Sequence, residues 1–244
     1  MHHQNRKKLP IHFGTGIVAS LLVTALFMAM RLAPTEQSMG PVQRILYIHV
    51  SVAWSGLLGF ALMGVCAMLY LFHRNLAWDQ WSQAANEVGW LCSSLTLLTG
   101  SFWAHAAWGT WWTWDPRLTS SLLLWALYTG CLIVRGSIHE SHLRARITSS
   151  LAILGLLDLP LVIMATRWFR GMHPVAPEME PMMLLTLLWN LVGFSLFFGL
   201  LLTRRRRQLQ AEGLLGELEL EALAGRKSSL NNRVPSLFPD GGLR

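Results

Sequence analysis

The chain has 244 residues, 52% of them hydrophobic and only 14% charged, with a mean hydropathy of +0.38. That excludes a disordered chain, which needs low hydrophobicity and dense charge, and fits poorly with a soluble domain, in which about a quarter of residues are charged. The net charge of +7 does not point to nucleic acid, because the basic residues are not spread over a surface.

Six segments are apolar over the roughly 20 residues that a helix needs to cross a bilayer. They lie at 13–32, 45–72, 84–106, 118–134, 147–165 and 182–203. The predicted fold is all-α, a polytopic membrane protein with six transmembrane helices in residues 1–203. The first span follows Arg6, Lys7 and Lys8, as a signal peptide would, but no clear small-residue cleavage site comes after it. It reads as an uncleaved helix. The second is too long for a straight crossing and must tilt or project. Glu87, near the inner end of the third, reads as solvated.

The fifth span holds Asp158, two residues before Pro160. Ionisable groups inside apolar spans face a protein interior or a cavity. A functional cavity and a structural helix–helix bond are both open for Asp158. Pro160 removes the bond to the Leu156 carbonyl and should kink the helix. Residues 204–244 predict a cytoplasmic tail. Leu209, Leu214, Leu215, Leu218 and Leu223 mix there with Glu212, Glu217, Glu219 and Glu221, the pattern of a short amphipathic helix. From Arg226 onward Ser, Asn, Pro and Gly predict disorder. Cys66, Cys92 and Cys131 sit in apolar segments without close spacing and read as small hydrophobes, not a disulfide or zinc framework.

With the N-terminus in the cytoplasm, fifteen of the twenty basic residues lie inside, including the run at 204–207. Arg31, Arg44, Arg117, Arg167 and Arg170 lie outside. This positive-inside bias predicts N-in, C-in topology. The loops after the third and fifth spans then face out, with His49 and His105 near the outer ends of their spans. His73, His139 and His142 face the cytoplasm.

The sharpest motif is Trp108-Gly109-Thr110-Trp111-Trp112-Thr113-Trp114-Asp115-Pro116-Arg117, with Trp103 just before it. An interfacial aromatic belt accounts for one or two Trp at a helix end, not for four in seven positions. Several large, flat, stiff indoles can instead cover a planar hydrophobic ligand. Gly109 permits a turn, Pro116 fixes the exit into the fourth span, and Asp115 can cap that helix. Arg117 is the nearest cation for an acidic group on the ligand, or an interfacial anchor.

His49 and His173 also face out. An imidazole at each edge of a Trp-rich surface can ligate haem iron from opposite faces. His105, three residues before Trp108, competes on chemistry alone. A zinc site of His49, His105, His173 and Asp115 is conceivable but would leave the tryptophans without a purpose.

These residues resemble the haem exporter protein C family of bacterial cytochrome c maturation, whose members carry a tryptophan-rich (WWD) loop. The likeness rests on the 108–115 motif, on Gly100-Ser101-Phe102-Trp103 before it and Arg117-Leu118-Thr119-Ser120 after it. It also rests on Tyr47-Ile48-His49-Val50, on Asp158-Leu159-Pro160, and on Trp168, Phe169 and His173, and covers roughly residues 41 to 203. Related haem lyase subunits are much longer, with more spans and extra histidines.

The resemblance implies axial ligation of non-covalent haem b by His49 and His173. Trp108, Gly109, Trp111, Trp112, Trp114, Asp115 and Arg117 would hold the macrocycle at the outer face of a bacterial inner membrane. It gives His105 no ligand role, and at the position of Asp158 the family often carries Asn. It implies haem loading onto a periplasmic haem chaperone, with ATP-driven transporter subunits and a small membrane subunit as further partners. No Walker motif occurs here, so ATP hydrolysis would belong to a partner. The chain also lacks a convincing nucleophile, which favours presentation of haem over catalysis. The rivals are a bis-histidine electron carrier with a second haem, a haem channel, and a scaffold subunit whose Trp loop binds only protein.

Overall fold

The computed structural model describes residues 11–37, 39–169, 171–173 and 179–233, and no strand occurs among them. Helix α1 (Ile11–Phe27) continues into a π-type turn at Met28–Leu32. A 3-10 turn at Pro41–Arg44 leads into α2 (Ile45–His73). Then follow α3 (Leu76–Trp108), α4 (Pro116–Ser137), α5 (Ser141–Trp168) and α6 (Pro181–Arg233). All but α3 are long and apolar enough to cross a membrane. The protein is an all-α, polytopic membrane protein.

The composition of α3 explains why it stands apart. Its polar side chains Asp79, Ser82, Asn86 and Ser93 are buried, while Leu91, Leu95, Leu98 and Phe102 are exposed along one outer stripe. Polar groups face protein and apolar groups face out, the arrangement a lipid environment favours. The helix also begins earlier than the apolar run. Asn75 caps it by accepting from Ala77 N at 2.9 Å. Asp79, in its first turn, forms a buried ion pair with Arg135 of α4 at 2.7 Å, with side chains 4% and 5% exposed. Hydropathy alone cannot see such a pair, so the sequence reading starts this helix too late.

Helix α2 is the hub. It packs most extensively on α3 and also touches α5 and α6, while α4 lies on α3 and α5, and α1 on α6. The core between them is apolar, with Phe60 set edge-on to Tyr128 at 4.4 Å between centroids. The Tyr128 hydroxyl donates to Gly56 O at 2.8 Å. Phe60 fits only because residue 155 is glycine: a Cβ there would lie 2.0 Å from the Phe60 ring. Burial of this kind contributes about 25 cal/mol per Å² of apolar surface.

Glu140 starts α5, accepting from the amides of His142 and Leu143, and those bonds hold its carboxyl below the usual carboxylate range. Pro160 lies inside α5, which continues around it. Asp158 is buried, and neither of its oxygens has a hydrogen-bond partner among the described residues. It therefore forms no structural helix–helix bond there.

Two expectations are corrected at the other end of the bundle. Glu87 is not simply solvated: it pairs with Arg205 of α6 and accepts from Gln83 Nε2 at 3.0 Å. Helix α6 passes position 203 and position 226 unbroken and reaches Arg233, where disorder was expected. Arg205 also bonds Glu212 at 2.9 Å, and Arg206 lies over the Trp81 ring at 4.5 Å. The Arg run thus fastens α6 to α3, and the Leu-, Glu- and Ala-rich continuation has strong helix propensity. Residues 234–244 lie outside the described residues, as do Arg6, Lys7, Lys8 and Arg170. All three cysteines are free, with Cys66 and Cys131 buried.

Candidate functional site

The start of α2, the end of α3, the start of α4 and the loop after α5 meet at one end of the bundle. They enclose a cavity of about 400 Å³, within the size range of small-molecule sites. Helix α3 ends at Gly109, whose φ of 72° turns the chain out as its amide bonds His105 O at 2.9 Å. The tryptophan loop follows. It closes at Asp115, which accepts from Leu118 N at 2.9 Å and Thr113 Oγ1 at 3.3 Å and so caps α4. Asp115 is also the brace for the second loop, because a Cβ at Gly171 would sit 3.3 Å from its Cβ. The capping carboxylate thereby helps seat the segment that carries His173.

His49 and His173, far apart in sequence, both line this cavity, together with Trp108, Trp112 and Arg117. The His49 ring is held from behind by α3. Its Nδ1 lies 3.0 Å from Thr99 Oγ1, and its Cε1 would lie 3.0 Å from a Cβ at Gly100.

Not every expected residue reaches the cavity. Trp111 and Trp114 are exposed and do not line it. Trp111 instead stacks on His105, with ring centroids 4.1 Å apart and planes 4° from parallel. His105 is therefore an outer partner of the loop and does not line the cavity. Gly109 and Asp115 shape the loop and are not wall residues.

Sequence reasoning missed the role of α3 itself. Thr96, Gly100, Trp103 and Ala104 all line the cavity. Their spacing of three and four puts them on one helical face, a signal present in the sequence but without a partner to read it against. Trp54 of α2 completes a wall and donates from Nε1 to Ser195 Oγ of α6 at 3.1 Å.

The donor set suits a large planar apolar ligand with an acidic edge. Most of the wall is aliphatic or aromatic. The indole nitrogens of Trp103 and Trp112 are buried without a hydrogen-bond partner among the described residues, so two wall residues hold unused donors. Indole N–H and guanidinium groups donate only, so a carboxylate is their natural complement. Imidazole is a side chain that can ligate a metal ion when neutral, and two of them line this cavity. Among the described residues no group of three His, Cys, Asp or Glu side chains is placed to hold a metal ion, so the zinc set of His49, His105, His173 and Asp115 is not assembled.

The model of a family described as Heme exporter protein C matches residues 4–214. The chain is 32% identical over 181 residues to Heme exporter protein C of Escherichia coli (strain K12), covering 72% of this chain and 74% of that one. It is 31% identical over 195 residues to Heme exporter protein C of Bradyrhizobium diazoefficiens, covering 73% and 74%. A putative cytochrome c biosynthesis ccmC-like mitochondrial protein of Marchantia polymorpha is 32% identical over 153 residues, 63% of this chain and 64% of that protein.

Proposed function

The chain belongs to the Heme exporter protein C family, and from that premise we propose that it presents haem at the outer face of a bacterial inner membrane. Membership carries a role in haem handling for cytochrome c maturation. The finer reading concerns what this cavity does. His49 and His173 ligate the iron of non-covalently held haem b, with Trp108 and Trp112 against the macrocycle and Arg117 beside a propionate. Trp111, Trp114 and His105 form the rim. Haem is the cargo, and the clamp leaves an edge open for a periplasmic haem chaperone to approach. Holding both partners in register is the chain's contribution to bond formation. ATP-driven transporter subunits and a small membrane subunit complete the assembly, as the family's name as an exporter suggests.

The topology proposed with this is six spans, N-in and C-in. The outward apolar stripe of α3 supports its crossing, although its overall composition is less apolar than that of the others. The basic run at 204–207 supports a cytoplasmic start to the tail.

The observation that carries the reading is that His49 and His173 share one cavity with the tryptophan loop. The test is the absorption spectrum of the purified protein beside His49→Ala, His105→Ala and His173→Ala. Low-spin haem should be lost in the first and third and kept in the second, with one haem per chain. Loss only in the His105 variant overturns the ligand assignment. Two haems per chain would favour an electron carrier, and none in a haem-replete host a protein-binding scaffold.

A further inference from the structure

We infer that Thr99 is a positioning residue that fixes the tautomer of His49, so that the imidazole offers its Nε2 lone pair to the ligand in the cavity. The inference rests on the proposed site and concerns how its first ligand is prepared.

The argument is a count of hydrogens. A threonine hydroxyl has one proton and two lone pairs. Thr99 Oγ1 lies 2.7 Å from Leu95 O, one turn back along α3, and 3.3 Å from Thr96 O. Carbonyl oxygens only accept, so the hydroxyl proton goes to the α3 backbone. At 2.7 Å two oxygens without a proton between them would repel. His49 Nδ1, 3.0 Å from the same Oγ1, then meets a lone pair. It must be the nitrogen that carries the ring proton. A neutral imidazole has one N–H and one lone pair, so the lone pair falls on Nε2.

The surroundings fix the ring as well as its proton. Gly100 follows Thr99 and lies against Cε1, the carbon between the two nitrogens. The hydroxyl holds one nitrogen and the glycine backbone lets the ring edge approach α3. Metal-bound histidines generally need such an outer partner to set tautomer and orientation, and losing it typically weakens binding about 10- to 100-fold.

The experiment uses full-length protein with 15N-labelled histidine, in detergent and without haem. The 15N shifts of His49, assigned by comparison with His49→Ala, should report the Nδ1–H form in the wild type and in Thr99→Ser. Thr99→Val, nearly equal in shape, should show mixed tautomers and bind ferric haem about tenfold more weakly, with Thr99→Ser close to the wild type. An Nε2–H ring in the wild type would overturn the inference, as would a Thr99→Val protein unchanged in both tautomer and affinity. If His49→Ala keeps the low-spin haem spectrum, the proposed site fails instead, whatever the tautomer of the free ring.

Discussion

Replacing Gly100 with alanine tests the geometry of the site with a single added methyl group. The new Cβ would stand 3.0 Å from His49 Cε1, 3.6 Å from Nδ1 and 3.9 Å from Nε2. An ordinary carbon–carbon contact is about 3.5–4.0 Å, so the ring edge must retreat from α3 by about 0.5–1 Å. The 3.0 Å approach of Nδ1 to Thr99 Oγ1 lengthens with it, toward the distance of about 3.5 Å at which a hydrogen bond ceases to count. Haem affinity should fall about 10- to 100-fold, with a weakened low-spin spectrum. Stability should change far less. Overpacking costs about 1–3 kcal/mol, and alanine gains about 1 kcal/mol over glycine in a helix interior. Ferric haem titration followed by absorbance, alongside thermal unfolding in the same detergent, separates the two effects. Gly130→Ala is the control: nothing lies within 4 Å of its added Cβ, so it should leave haem binding unchanged and be at least as stable. A Gly100→Ala protein that binds haem like the wild type, with an unaltered spectrum, refutes the placement of His49 against α3.

Asp79→Asn leaves Arg135 buried without its 2.7 Å carboxylate partner, and thermal unfolding should show a loss of about 3–5 kcal/mol without a change in the spectrum of bound haem. Asp115→Ala removes the cap on Leu118 N, worth about 1 kcal/mol, and the brace under Gly171. Haem titration should show a larger loss than unfolding does, because the His173 segment is released. Glu140 carries a pH signature. Its carboxyl is lowered in the folded state by the His142 and Leu143 amides, so its contribution is fully present above the ordinary glutamate value and is lost as pH falls through the lowered one. Unfolding curves of the wild type and Glu140→Gln should therefore differ at neutral pH and converge in acid.

Much of the fold was legible because the bilayer imposes a simple requirement. Runs of about 20 apolar residues mark helices whatever their neighbours are, and five of the six expected spans coincide with apolar helices. The tryptophan loop and its flanking histidines were likewise visible as residue types with few other uses. Where the reading failed, a partner was missing from view. Glu87 reads as solvated until Arg205 of α6 is beside it. The tail reads as a separate element until the Arg run is seen fastening one continuous helix to α3.

The amino-acid sequence by itself determined the all-α membrane class and the residue types available to hold a planar ligand, since both follow from composition and local pattern. Only the packing of the helices against one another decided which of those residues share a wall. It sent Trp108 and Trp112 to the cavity, left Trp111 and Trp114 outside, paired His105 with Trp111, and set Thr99 and Gly100 behind His49. The physical reason is range. Hydropathy and helix periodicity act along a few turns of one chain segment, whereas a shared cavity and a chosen tautomer depend on contacts between segments that only folding brings together.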